Sequence, residues 1–318
     1  MIRSEEQFID FISRNYESIQ NIPNQWLGVG DDAAILDIDS EEVIFCADAV
    51  VENVHFRAST NFFDVGWKAI VSNQSDLAAM GAYPLAFTIT LGINNKTDQE
   101  KLLDLYKGMD QACKEYGGKL LGGDIVKSKN LFVSVAAIGK NFINKKTMRR
   151  SNAKLNDVVA VTGEIGNSIT GLDMLEKNIK SNNKQIQKFL KPIPRIKESE
   201  LAIESGIICG MDLSDGLDKD LKRICKSSTV KIEVEFEKIK YDKSIEKYFG
   251  NDFENKILTS GEEYELILIG PTSKIEVLKE KIDLSVIGKV TDDTAPDLVF
   301  LKNKKIINLT SESFDHFA

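Results

Sequence analysis

The sequence contains few histidines and cysteines, and their arrangement excludes several kinds of site. Its 318 residues include two histidines, His55 and His316, and four cysteines that form no C-x-x-C pair. A structural zinc site is therefore not expected, because such sites combine closely spaced cysteines and histidines. The cysteines are predicted to be buried and reduced. A serine–histidine or cysteine–histidine mechanism is also disfavoured, because only two histidines are present to act as the base.

The common glycine-rich nucleotide motifs are also absent. The sequence has neither the P-loop pattern G-x-x-x-x-G-K-[ST] nor a kinase-type glycine loop with its H-R-D and D-F-G partners. The stretch GVGDDA, residues 28–33, begins like the pattern G-x-G-x-x-G but lacks its third glycine. If the protein handles a nucleotide, it must use a different architecture.

Long apolar runs and excess positive charge are missing as well. No run approaches the ~20 apolar residues of a membrane span, and the first 16 residues are acidic and amphipathic, unlike a secretory signal. We therefore expect a cytoplasmic protein. The net charge of −8 disfavours nucleic acid and anionic membranes as partners. It permits a phosphorylated substrate, provided that metal ions supply positive charge.

The length and the pattern of elements predict two domains. A chain of 318 residues suggests about two domains of ~150 residues each. Strand-like and helix-like segments alternate up to about residue 140, and a similar alternation begins again near residue 157. We place the boundary between 145 and 146, which gives α+β domains at 1–145 and 146–318. The lysine-rich stretch 178–197 is predicted to be an exposed connection.

Five short stretches place aspartate beside glycine or another small residue at the end of an apolar segment. They are GVGDDAAIL (Asp31, Asp32), CADAVVENVHF (Asp48), NQSDLAAMG (Asp76), LGGDIVKS (Asp124) and MDLSDGL (Asp212, Asp215). Oxygen ligands of this kind suit Mg²⁺, which usually lies between one or two carboxylates and substrate phosphates. Glycines allow the backbone to approach a ligand closely.

Each acidic stretch also has a structural interpretation. Asp31 and Asp32 could form a turn followed by a helix N-cap, and Asp76 could cap its own helix. Asp212 and Ser214 could cap a helix that begins near Leu217. Taken together, however, the five stretches have few cationic neighbours. Buried like charges repel one another, so we favour a shared metal site.

The motifs, in their order along the chain, resemble those of a known family. They are GVGDDAAIL, DAVVENVHF, NQSDLAAMGAYP, GGD, MDLSDGLDKDL and SGEEYEL. From Gly28 to Phe317 the chain resembles the thiamine-monophosphate kinase family, whose superfamily includes aminoimidazole ribonucleotide synthetase and selenide water dikinase. The resemblance implies an N-terminal α/β domain that binds ATP and metal and whose strands help to form a dimer-spanning β-barrel. It also implies a C-terminal α+β domain and a homodimer.

The resemblance further implies a reaction and a set of site residues. ATP and thiamine phosphate would give ADP and thiamine diphosphate, with several Mg²⁺ ions bridging the acids and the phosphates. The implied metal ligands are Asp31, Ala47 through its carbonyl, Asp48, Asp76, Asp124, Asp212 and Asp215, of which Asp124 and Asp215 are also the implied catalytic residues. The implied ATP contacts are Tyr106, Gly123, Asp124, Arg150 and Ser214. The implied substrate contacts are His55, Glu262 and Phe314.

Several of these residues also have simpler interpretations. Arg150 could be a surface arginine in a basic loop, and His55 could be a packing or hydrogen-bonding residue. Glu262 could form a hydrogen bond at a strand start, and Phe314 could be a hydrophobic plug. The chemistry of the implied substrate favours a binding role for Glu262 and Phe314, because a cationic thiazolium ring suits an acid and an aromatic side chain. The attacking phosphate oxygen is already anionic, so no strong general base is needed.

The sequence also departs from the family pattern. Cys46 and Ala47 stand where the family often has serine and threonine, so a hydroxyl ligand is lost. Glu263 replaces an aspartate, and GGDIVKS lacks a threonine hydroxyl. Two alternatives therefore remain. The first is another ATP-dependent enzyme of the same superfamily, and the second is a non-catalytic regulator that binds nucleotide.

Overall fold

The structure is a computed structural model that describes residues 5–15, 17–94, 97–144, 146–179, 183–310 and 313. The strands are β1 (Ala34–Ile38), β2 (Glu41–Val51), β3 (Ala82–Ile93), β4 (Lys119–Lys127), β5 (Phe132–Asn141), β6 (Val158–Thr162), β7 (Cys209–Asp212), β8 (Lys231–Glu235), β9 (Leu266–Gly270), β10 (Leu284–Asp292), β11 (Asp297–Lys302) and β12 (Lys305–Ile306). The α-helices are α1 (Glu5–Asn15), α2 (Glu17–Gln20), α3 (Phe62–Ala79), α4 (Gln99–Tyr116), α5 (Asn167–Glu176), α6 (Lys184–Leu190), α7 (Ile196–Glu204), α8 (Leu217–Ser228), α9 (Ser244–Phe249), α10 (Phe253–Leu258) and α11 (Thr272–Lys279).

A five-stranded sheet forms the N-terminal half, in the order β1-β2-β5-β3-β4. Its neighbours are antiparallel except for β3 and β4, which are parallel. Alternate residues of β5 are buried against α3 and α4, as period-2 alternation requires. The two helices approach closely at glycines. A Cβ on Gly66 of α3 would lie 1.9 Å from the carbonyl oxygen of Leu105, so no other residue fits there.

The edge strand β4 contrasts with the rest of this sheet. Its side chains are almost all exposed, including large apolar ones: Leu121 is 69% exposed and Ile125 is 62% exposed. Among the described residues, β4 is hydrogen-bonded to β3 alone. An exposed, apolar edge strand of this kind is typical of a surface that pairs with another chain or element.

A seven-stranded sheet forms the C-terminal half, in the order β12-β11-β8-β10-β6-β9-β7. Only β8 and β11 run parallel. One apolar cluster joins α8, α9 and α10 to this sheet. A second cluster contains residues of α7 and α11 together with Ala78 and Ala79, the end of α3. The last turn of α3 is therefore packed against the C-terminal half, and this contact fixes where the two halves meet.

The structure corrects one prediction for the lysine-rich stretch 178–197. Part of this stretch is the helix α6, which is capped by Asn183: its side-chain oxygen accepts a hydrogen bond from the backbone N–H of Ile186 at 2.9 Å. Ile186 and Phe189 are buried. The expectation of an exposed connection was wrong there because two apolar residues in a polar run are enough to anchor a two-turn helix.

The structure also corrects the interpretation of Asp31 and Asp32 as a helix N-cap, because the strand β1 follows them. Within the described residues, no helix is both long and apolar enough to span a membrane.

Candidate active site

Three carboxylates from distant parts of the sequence converge where the halves meet. Asp32 precedes β1, Asp76 lies in the last turn of α3, and Asp212 ends β7. One oxygen of each lies within 4.8 Å of the others. We call these three residues the acidic group. Asp76 and Asp212 are among the ligands predicted from the sequence, and Asp32 is not.

Hydrogen bonding leaves part of the acidic group unpaired. The hydroxyl of Ser75 donates to Oδ2 of Asp212 at 2.7 Å, which holds that side chain in place. Oδ1 of Asp212 and Oδ2 of Asp32 are buried and have no hydrogen-bond partner among the described residues. A buried polar atom normally has a partner. Two unpaired carboxylate oxygens within one group are therefore atoms that a cation would satisfy.

Burial and mutual repulsion perturb the acidity of this region. Burial, followed by the charges of neighbouring carboxylates, raises the pKa of Asp76 and that of Asp212 well above their usual range. Burial and then Asp32 raise the pKa of Asp31 to about 7, although Arg150 opposes the shift. Each raised pKa means that a negative charge is unfavourable at this position unless a positive charge lies close to it.

Arg150 supplies part of that positive charge. Its guanidinium donates a hydrogen bond to Asp32, and its Nε lies 3.7 Å from Oδ1 of Asp31. Its backbone N–H also donates to Oδ2 of Asp31 at 3.2 Å. The side chain is only 14% exposed. The alternative interpretation of Arg150 as a surface arginine is therefore wrong.

Strand β2 contributes residues beside the acidic group. The charge of Asp48 is one cause of the raised pKa of Asp76. The backbone N–H of Asp48 donates to Oδ1 of Asn73 at 3.1 Å. Burial and then the charges of Asp76 and Asp48 raise the pKa of the Cys46 thiol, so this side chain stays protonated. Ala47 lies between Cys46 and Asp48 on an exposed part of the strand.

The loop that follows Asp212 is shaped by a residue that the sequence did not identify. One carboxylate oxygen of Asp220 accepts hydrogen bonds from the backbone N–H groups of Ser214, Asp215 and Gly216, at 3.1, 3.0 and 3.2 Å. Asp220 is completely buried. The only sequence indication was that this segment holds four aspartates, Asp212, Asp215, Asp218 and Asp220.

Asp215 has cationic partners of its own. Its carboxylate lies 2.6 Å from Nη2 of Arg223 and 3.1 Å from Nζ of Lys219. The helix α8 begins at Leu217 without a side-chain cap from any described residue. The alternative in which Asp212 and Ser214 cap this helix is therefore wrong.

A second polar pair joins α3 to the segment between α10 and β9. Nζ of Lys68, on α3, lies 3.2 Å from each carboxylate oxygen of Glu262. His55 lines a small cavity with Lys68 and Phe189, and its Nδ1 accepts a hydrogen bond from the backbone N–H of Val51 at 3.1 Å. Lys68 was not identified from the sequence. A single lysine in a helix of apolar and small residues was the available indication.

The structure places the remaining predicted residues away from the acidic group or outside the described residues. Gly123 and Asp124 lie on the exposed strand β4, and Tyr106 is exposed on α4. Across the sheet, Asp48 of β2 pairs with Val135 of β5. Val135 pairs in turn with Ile89 of β3, and Ile89 pairs with Gly123 of β4. Three strand spacings separate β2 from β4, or about 14 Å. Phe314 lies outside the described residues.

Two family models match this chain. The model for AIR synthase related protein, N-terminal domain, matches residues 30–141, and that for the C-terminal domain matches residues 154–300. The fold and the acidic group between its halves thus define a protein of the AIR synthase related class. Among curated proteins, the chain is similar to thiamine-monophosphate kinase of Bacillus subtilis (strain 168), with 32% identity over 307 residues that cover 92% of this chain and 93% of the relative. The chain belongs to the thiamine-monophosphate kinase family.

Solved structures agree with this assignment. The structure of AaThiL complexed with AMPPCP and TMP has 27% identity and a TM-score of 0.87, and the match covers 99% of this chain and 97% of that one. The thiamine monophosphate kinase from Aquifex aeolicus has 27% identity and a TM-score of 0.81, with 96% and 99% covered. The resemblance inferred from the motifs and the mixed α/β fold with two domains are both confirmed.

Proposed function

We propose that this chain transfers the terminal phosphoryl group of ATP to thiamine phosphate and so makes thiamine diphosphate. The observation that carries the proposal is the acidic group, in which carboxylates from both halves converge and two buried oxygens have no partner among the described residues. The relatives add the chemical identity, because several are named thiamine-monophosphate kinase and one was solved with AMPPCP and TMP. The division into domains 1–145 and 146–318 and the cytoplasmic location stay predictions.

The residues present fit Mg²⁺ ions. Asp32, Asp76 and Asp212 offer hard oxygen ligands in close proximity, and the negative charge of Asp48 acts on Asp76. Divalent cations bound there would neutralise phosphate charge and hold the attacking and leaving oxygens in line. Asp32, which the motifs marked only as one of a pair with Asp31, thus joins the proposed ligands.

The protein's own groups would position the two anions. Arg150 lies at the acidic group with its guanidinium already oriented by Asp32, so it is suited to a phosphate of ATP. The loop that Asp220 shapes holds Ser214 and Asp215 directly after Asp212, which belongs to the acidic group. Phosphoryl transfer needs chiefly positioning and charge stabilisation. The acceptor oxygen is already anionic, which removes the need for a catalytic histidine.

A second copy of the chain is part of the proposal. Gly123, Asp124 and Tyr106 match ATP contacts of the family, yet within one described chain Asp124 is separated from Asp48 by three strand spacings. The exposed apolar strand β4 would be covered in a homodimer whose sheets form the implied barrel. Asp124 of one chain could then reach the acidic group of the other. Sedimentation of the purified protein would test this, and a monomer would contradict it.

Turnover is tested by ADP release from ATP with thiamine phosphate, and with unphosphorylated thiamine as the comparison. We expect ADP and thiamine diphosphate in equal amounts with the monophosphate only. The variant Asp124→Asn should lose turnover and keep its melting temperature. Asp252→Asn, which alters an exposed aspartate 3.8 Å from Lys256, serves as the matched control and should keep both. Absence of turnover with thiamine phosphate in the unaltered chain would reject the assignment.

A further inference from the structure

The ion pair between Lys68 and Glu262 has unusual surroundings for a salt bridge. The lysine side chain is only 5% exposed and its Nζ lies 3.6 Å from the centre of the Phe189 ring, whereas the glutamate side chain is 24% exposed. The partners come from the two halves of the chain, 194 positions apart. The ammonium is therefore held beneath the carboxylate, which is the accessible member of the pair.

The position of Lys68 on α3 relates it to the acidic group. Lys68 and Asp76 are eight residues apart, so they lie near the same face of the helix at an axial separation of about 12 Å. Asn73 lies between them in sequence, and its Oδ1 accepts a hydrogen bond from the backbone N–H of Asp48 at 3.1 Å. An acceptor whose phosphate lies at the acidic group and whose remaining part extends along this face would contact the ion pair.

The backbone at Glu262 is held in a conformation that L-residues seldom adopt. Its φ is +55°, and that of Tyr264 is +51°. Both are fixed by hydrogen bonds to the loop after Asp212: the N–H of Glu262 donates to the Ser214 carbonyl at 2.7 Å, and the N–H of Tyr264 donates to the Leu213 carbonyl at 2.9 Å. Backbone strain of this kind is often kept where a side chain must have one direction.

The charge of Glu262 is otherwise poorly placed. It is one cause of the raised pKa of Asp48, so this carboxylate lies within the field of the neighbouring acids. Lys68 lies 3.2 Å from each carboxylate oxygen of Glu262, so it holds this carboxylate in one direction.

We propose that Lys68 is a positioning residue for acceptor recognition. It holds the carboxylate of Glu262 in one direction by contact with both of its oxygens, and it leaves that carboxylate accessible to the cationic heterocycle of the acceptor. This inference rests on the proposed function. It assigns to Lys68 a part in selecting acceptors that carry a positive charge or hydrogen-bond donors at the end remote from the phosphate.

The test is a double-mutant cycle with Lys68→Met, Glu262→Gln and the double variant. For each we would measure the KM for thiamine phosphate, the KM for ATP, and thiamine phosphate binding by calorimetry. Lys68→Met should raise the KM for thiamine phosphate about tenfold and leave the KM for ATP within about twofold. In the Glu262→Gln background, Lys68→Met should have little further effect, because Lys68 acts through Glu262.

Controls separate this role from a loss of stability. Lys243→Met removes an exposed lysine that lies 3.0 Å from Glu246, and should change neither KM. If Lys68→Met does not fold, Lys68→Arg is measured in the same cycle, with an intermediate KM expected since the cation is kept and its geometry is altered.

Three outcomes would overturn the inference in an active enzyme. They are an unchanged KM for thiamine phosphate, equal changes in both KM values, and additive effects in the double variant. Failure of the proposed function is a different result, since it shows in the unaltered protein as absence of turnover with thiamine phosphate.

Discussion

The variant Asp76→Asn should make the metal-free protein more stable. Two carboxylates 4.8 Å apart repel by about 3 kcal/mol at an effective dielectric constant near 20, and Asp76 faces both Asp32 and Asp212. Proton uptake limits this cost, since the pKa of Asp76 is raised. At pH 8 in a chelator we therefore expect a gain of about 2 to 4 kcal/mol in the free energy of unfolding.

The assay for this prediction is thermal unfolding with and without Mg²⁺. The unaltered protein should gain melting temperature as Mg²⁺ is added, because a ligand that binds only the folded state stabilises it. Asp76→Asn should begin higher and gain little. The control Asp252→Asn should behave as the unaltered protein does, because that aspartate is exposed. A lower melting temperature for Asp76→Asn in chelator, with its Mg²⁺ response retained, would refute the view of the acidic group as a strained cation site.

Three further substitutions test the scaffold around the site. Burial raises the pKa of Glu263 from 4.5 to about 7, so its ionisation lowers the stability of the folded protein as pH rises through this interval. Between pH 5 and pH 8, the free energy of unfolding of Glu263→Gln should come to exceed that of the unaltered protein by up to about 3 kcal/mol. Urea unfolding at each pH measures this difference. Glu265→Gln should lose about 3 to 5 kcal/mol at pH 7 in the same assay, because Lys188 and Arg195, at 2.5 and 2.6 Å, would lose their shared carboxylate. Asp220→Ala should lower the free energy of unfolding by about 1 kcal/mol for each of the three backbone N–H groups that lose their acceptor, and it should also lower turnover. A loss of stability with unchanged turnover would show that Asp220 has no part in shaping the site.

The sequence predicted much of the fold because most elements carry a strong period. The helix α4 has apolar residues at helical spacing and is bounded by Asp98, which caps it, and Gly117, where it ends. The strand β5 alternates buried and exposed residues along most of its length. In both elements the local pattern and the tertiary environment favour the same structure.

Other elements were missed because their environment is not local. The strand β4 shows no useful alternation, since nearly all of its residues are exposed in one chain. The buried strand β7 is only four residues long, too short for any period to appear. The helix α6 depends on two buried residues packed under a lysine-rich surface. A single sequence does not state which face of a segment will be covered by a distant partner.

The candidate site divides in the same way. The motifs identified Asp76 and Asp212, which converge, and Arg150, which joins them. They did not identify Lys68 or Asp220, because these residues act through contacts that form only on folding. Lys68 contacts Glu262, which is 194 positions away in sequence, and Asp220 accepts hydrogen bonds from the backbone of the loop that precedes it. Residues that support a ligand contact carry no chemical signature of their own in a single sequence.

The aspartate-rich segment, residues 210–221, shows why the number of charges alone does not define a metal site. Asp215 is neutralised by Arg223 and Lys219, Asp218 is hydrogen-bonded to Ser313, and Asp220 is bound by three backbone N–H groups. Asp212 is the member of this segment with a buried carboxylate oxygen that no described residue satisfies. Three of the four aspartates thus hold the loop in place, and their contacts leave the fourth uncompensated beside Asp32 and Asp76. The proposed binding of a cation at Asp212 depends on this difference in compensation, which arises only when the chain folds.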